Sequence, residues 1–192
     1  MAILFAFAVA TSSTAGARSL APPSGNRQGL RLLARVNEAY VHVPAAALSG
    51  HAGAFAFRFT VVLRSGVVVA EQDVVSGPGG TTELVRRQGA PTFAREPGST
   101  CWRRLAASDR QALEGVGLRF PDQPHMRLQR PRRTASGWLL PVVGDGGHTV
   151  FLIDAKSMLL RSITIANGGK RILERVSALR SAPILLTPHP RC

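Results

Sequence analysis

Phe55-Ala56-Phe57-Arg58-Phe59-Thr60-Val61-Val62-Leu63 is the stretch on which the fold turns. Phe55, Phe57, Phe59, Val61 and Leu63 alternate with Ala56, Arg58, Thr60 and Val62. A backbone whose side chains repeat every two residues puts all five large apolar groups on one face. The segment is therefore predicted to be a β-strand with one side buried.

Downstream of it, turn residues recur at hairpin intervals: Ser65-Gly66, Gly77-Pro78-Gly79-Gly80, Gly144-Asp145-Gly146-Gly147 and Asn167-Gly168-Gly169, each between apolar runs. Further strands are expected at 67–75, 81–87, 92–95, 100–105, 126–128, 137–143, 149–154, 158–165 and 172–179, the last compatible with a helix as well. The pattern is an antiparallel meander over residues 53–179. A capping box, Ser108 to Gln111 ahead of Ala112-Leu113, with Gly115 to end it, predicts a short helix within the meander. Upstream, residues 29–41 (GLRLLARVNEAYV) place Leu30, Leu33, Val36 or Asn37, and Tyr40 at helical spacing. Asn26 or Ser24 is positioned to cap this helix and Pro44 to stop it. An antiparallel sheet must bury one face, and this helix is the available cover. The fold class expected is α+β, mainly antiparallel β, in a single domain over residues 29–192.

Residues 2–10 (AILFAFAVA) form an apolar run too short to span a membrane, followed by small residues at 15 and 17. That is the pattern of a signal peptide over 1–17, cut after Ala17, with 18–28 (RSLAPPSGNRQ) as a linker. The first cation is Arg18, so the usual basic start is missing and a merely apolar N-terminus is the competing reading. Export implies a secreted or cell-envelope location. Cys101 and Cys192 are the chain's two cysteines, and in an exported protein such a pair forms a disulfide. Closing a loop of about 90 residues would contribute roughly 4–5 kcal/mol in the chain-entropy model. Two free thiols are the alternative.

Lys and Arg number 24 against 11 Asp and Glu, giving a formal charge of +13. The partners favoured are anionic, an anionic membrane surface among them. Nucleic acid is not expected, because no helix-turn-helix pattern occurs and aromatics, only 6% of residues, read as buried. The patterns G-x-S-x-G, S-x-x-K, H-E-x-x-H and G-x-x-x-x-G-K-[ST] are absent, so no enzyme is predicted. Glu71 and Asp73, at i and i+2 on a strand, are read as a polar outer face opposite Val68, Ala70 and Val74. The histidines, 42, 51, 125, 148 and 189, are scattered, and neither a metal nor a cofactor is expected.

The order of elements carries a resemblance: a helix ending in Tyr40, a long meander, Glu96-Pro97-Gly98-Ser99-Thr100-Cys101-Trp102 followed by Arg103-Arg104, a short helix, then the Trp138 strand and hairpins. Over about residues 29–188 this resembles the LolA-like superfamily, which includes the outer-membrane lipoprotein carrier, the sensor domain of RseB and mycobacterial lipoproteins of the LppX and LprG type. The resemblance implies an incomplete β-barrel, a curved half-barrel wrapped over an N-terminal helix, with an apolar cavity for acyl chains. The mycobacterial members carry a lipidated cysteine just after the signal peptide; this chain has none there.

The apolar rows define the candidate lining: Phe55, Phe57, Phe59 and Val61, then Trp138 and Leu140, then Phe151 and Ile163. Each of these positions is equally what an ordinary packed core requires. Arg132 and Arg133, within Arg127-Leu128-Gln129-Arg130-Pro131-Arg132-Arg133, are the candidate site for an anionic headgroup, or else a solvated face. The function expected is a monomeric, non-enzymatic carrier or sensor of a lipid or acylated ligand. The alternative is an envelope protein-interaction domain with a fully packed core.

Overall fold

A computed structural model describes residues 24–105, 127–144, 147–167 and 170–188. Among the described residues one helix, α1 (Arg27–Val41), is preceded by β1 (Ser24–Gly25) and followed by β2 (Ala45–Ala52), β3 (Phe55–Arg64), β4 (Val67–Gly77), β5 (Gly80–Arg87), β6 (Phe93–Arg95) and β7 (Arg103–Arg104). The second half contributes β8 (Arg127–Leu128), β9 (Arg132–Thr134), β10 (Gly137–Gly144), β11 (Gly147–Ile153), β12 (Leu160–Asn167) and β13 (Lys170–Leu179). The strands form one sheet in the order β1-β8-β10-β11-β12-β13-β2-β3-β4-β5-β6-β7, with β9 beside β10. The pairings are antiparallel except for β1 on β8. The sheet is not closed: β1 ends it on one side and β7 on the other. It is a curved half-barrel over the N-terminal helix, the architecture the sequence predicts.

The Asn26 side chain caps α1, its Oδ1 accepting from the backbone N–H of Gln28 at 2.9 Å and of Gly29 at 3.4 Å. Ser24, the other candidate cap, lies in β1. The linker expected over 18–28 therefore ends early, with α1 beginning at Arg27. Gly29 is required by packing: a Cβ there would lie 2.8 Å from the Gln129 carbonyl oxygen. The buried stripe of α1, Leu32, Leu33, Val36 and Tyr40, packs onto Ala46, Val61, Leu63 and Val68 on one side and Leu140, Val142, Phe151, Ile153 and Leu160 on the other. At the far end of the helix, the Leu160 N–H donates to the Tyr40 hydroxyl at 3.3 Å, in the buried interior. Burial pushes that phenol up to about 12.

The segment expected over 172–179 is a strand, β13, pairing with β12 and β2. Four elements differ from the expectation. Strand β2, directly after Pro44, is additional. β12 starts at Leu160 and not at Met158, because Met158 adopts a positive φ of 60° in a turn nucleated by Asp154. The Asp154 carboxylate accepts from the N–H groups of Lys156 and Ser157 and from the Ser157 hydroxyl. The strand expected over 100–105 shortens to Arg103–Arg104, and Arg132–Thr134 is an additional strand. The helix expected near 108–115, the leader over 1–17 and Cys192 lie outside the described residues.

After β13 the chain turns back over the outer face of β4 and β5. Leu185 is buried there, Arg87 donates to the carbonyl oxygens of Leu185 and Leu186 at 3.3 and 3.1 Å, and the Leu186 N–H donates to Gln72 at 3.3 Å.

Candidate ligand-binding face

Residues paired across strands share a face, so the register maps the inner surface that α1 covers. One inner row runs from Leu140 through Phe151, Ile163, Glu174, Gly50 and Phe57 to Val75. Its β10–β11 end lies under the helix: Leu140 and Phe151 belong to the helix-packed core, as does Val61 two inner rows along β3 from Phe57, while Trp138 and Ile163 pack against its edge. Its β3–β4 end lies outside that cluster. There Phe57 and Phe59 stack with ring centroids 5.2 Å apart, and Phe57, although 4% exposed, is not part of the helix-packed core. The Phe57 ring lies against Gly50, where a Cβ would come within 2.6 Å of it. Phe55, Val75, Leu84, Ile165 and Ile172 are half-buried inner-face positions around this pair. An apolar band that the helix does not cover is thus continuous with the core.

Two polar features interrupt it. On one side, Glu71, Asp73 and Arg86 form a buried triad, with Arg86 Nη2 at 2.8 Å from both Glu71 Oε2 and Asp73 Oδ2. Burial, and then the Glu71 carboxylate, raise the Asp73 carboxyl to about 8, with Arg86 opposing them. Protonation of Asp73 leaves the Arg86 guanidinium a single negative partner. This corrects the reading of Glu71 and Asp73 as an outer face. The cause is a bulge between Val62 and Leu63 in the β3–β4 ladder: Leu63 pairs with Val68 but Val61 pairs with Glu71. Val68 and Glu71 therefore share the inner face, and simple alternation from Val68 gives the wrong side. On the other side of the Phe pair stands Glu174, 8% exposed, its carboxyl raised by desolvation.

The cationic pair is placed differently. Arg132 and Arg133 are exposed neighbours on β9, so they project to opposite faces. Arg133 stacks on Trp138 at 5.1 Å, and β11, β12, β13 and β2 separate its neighbour β10 from the Phe row of β3. Sequence reasoning missed both Glu174 and Arg86 as members of this face. The hairpin Gly77–Gly80, which sets Glu71 opposite Arg86, was the available signal.

The curved open sheet over an N-terminal helix is the architecture that the element order had suggested. LprF of Mycobacterium bovis shares it, with a TM-score of 0.50 over 87% of this chain and 99% of that one, at 11% identity. Lower similarity is found with the Mycobacterium tuberculosis lipoprotein LppX, at TM-score 0.41, 15% identity, and 77% and 94% of the two chains. The Pseudomonas aeruginosa MucA/MucB complex gives TM-score 0.47 and 16% identity over 81% of this chain and 58% of the matched one. No protein-family model and no curated protein matches the sequence. Among the described residues, no helix is long and apolar enough to cross a membrane.

Proposed function

We propose that this chain is an exported, non-enzymatic binding protein that carries or senses a lipid or acylated ligand on the inner face of its half-barrel. The observation that carries the reading is the apolar band of half-buried Phe55 and Phe59 about the buried Phe57, which extends the core beyond the helix-packed cluster. Apolar surface left on a concave face is where a ligand gains most from leaving water, at about 25 cal/mol for each Å² buried. The triad of Glu71, Asp73 and Arg86 does not argue for catalysis, because the acids are paired internally through one guanidinium and Glu71 is 4% exposed. Export through a leader over 1–17 and a Cys101–Cys192 bridge belong to the same proposal. Native mass spectrometry of the purified protein with extraction of bound lipid tests it. Co-purified acyl species, lost from a folded Phe57→Asp variant, are expected. A wild-type protein that carries and takes up no acyl ligand would point instead to an interaction domain with a fully packed sheet.

A further inference from the structure

Glu174 is the unexplained group of the inner face. It is 8% exposed on β13, lies between Ile163 and Gly50 in the register, and has neither a hydrogen bond nor an ion pair among the described residues. A buried carboxyl costs free energy unless its polar atoms are matched, and native proteins seldom leave one unmatched without a use for it. The other inner-face carboxyls have a cation beside them: Arg86 pairs both Glu71 and Asp73, on the far side of Phe57. What flanks Glu174 is apolar: Ile163 on β12, Ile172 and Val176 on its own strand, and the Phe57 ring lying over Gly50.

Resting on the acyl-binding reading above, we infer that Glu174 is the polar anchor of the inner-face site, and that the site takes acyl chains ending in an uncharged hydrogen-bonding group, a hydroxyl or ester. Desolvation raises this carboxyl and so favours its neutral form, which both donates and accepts and matches a hydroxyl or an ester carbonyl without bringing a charge into apolar surroundings. A fatty-acid carboxylate would have to shed its hydration among these apolar side chains. An ammonium would have to lose its hydration beside Phe57 and enter a protein of net charge +13.

Displacement of the uncharged probe dodecylpyrene by three chain-matched amphiphiles, monopalmitoylglycerol, palmitate and hexadecylamine, tests the inference on wild type, Glu174→Leu and Glu174→Gln. For wild type, monopalmitoylglycerol should compete about tenfold better than either charged amphiphile, the value of one well-made hydrogen bond in an apolar site. Glu174→Leu should bind dodecylpyrene as before and lose about tenfold for monopalmitoylglycerol, whereas Glu174→Gln, which keeps a donor and an acceptor, should stay within about threefold. Circular dichroism checks that Glu174→Leu folds. Unchanged monopalmitoylglycerol affinity in Glu174→Leu, or tightest competition by hexadecylamine, overturns the anchor while leaving acyl binding intact. A wild type that does not bind dodecylpyrene overturns the acyl-binding reading and this inference with it.

Discussion

Replacing Asp73 with Asn should change how stability depends on pH more than it changes stability itself. In the folded protein the Asp73 carboxyl is raised from 3.8 to about 8, by burial first and by Glu71 second. Between those two values the folded state binds a proton that the unfolded chain has released. Stability from this group is therefore fully present below about pH 4 and is lost as pH rises through about 8. At about 1.4 kcal/mol per tenfold in proton affinity, the ceiling on that loss is about 6 kcal/mol. Arg86 lies 2.8 Å away and can turn toward the newly formed charge, and water can follow it, so about 2–3 kcal/mol is expected. Asn has the shape of the protonated acid and does not titrate. Urea unfolding followed by circular dichroism at pH 5, 7 and 9 should give curves for wild type and Asp73→Asn that agree within about 1 kcal/mol at pH 5 and separate by about 2–3 kcal/mol at pH 9, the variant being the more stable. Glu174 shifts in the same direction but is present in both proteins and cancels in the difference. Parallel curves across the range, or a variant less stable at pH 9, would mean that Asp73 is ionised in its bridge to Arg86 and would refute the reasoning.

Tyr40→Phe should cost about 1–3 kcal/mol in urea unfolding, because the buried Leu160 N–H loses its acceptor while the ring's packing is retained. Leu140→Ala, at a position with no exposure, should cost about 2–5 kcal/mol through the cavity it leaves. Phe59→Asp should abolish binding of a fluorescent acyl lipid with the circular dichroism spectrum unchanged, and Arg132→Ser with Arg133→Ser should weaken anionic lipids alone, as added salt should do. Peptide mapping of non-reduced protein should recover Cys101 linked to Cys192; alkylation of both cysteines without reductant would show them free.

Much of the sheet was legible because β3, β10 and β11 alternate cleanly and Gly-rich turns punctuate them. β2 was not, because Ala45-Ala46-Ala47-Leu48-Ser49-Gly50-His51-Ala52 has no β-branched or aromatic residue. The structure shows why it is small: Ala46 lies beneath the helix and Gly50 beneath the Phe57 ring. The apolar half of the candidate face was visible in the Phe row, whereas its polar half was hidden by long-range register. Glu71 meets Arg86 only through a hairpin, the bulge before Leu63 reverses the parity on which its side was judged, and Glu174 reaches the face through a strand pair joining residues more than a hundred positions apart, Glu174 with Gly50.

That same pair, β13 on β2, sets a timetable for the chain. The strands from Ala45 to Arg104 and those from Gly137 to Leu179 are each chains of neighbours that can zip up locally, but among the described residues only β13 joins one set to the other along the long strands. While the chain is being synthesised, β2 waits for a partner that emerges on the order of ten seconds later. Throughout that interval it is an open sheet edge of small side chains, able to pair with another chain. The half-barrel is thus completed only once β13 has emerged, long after β2, and until then its two halves remain unjoined.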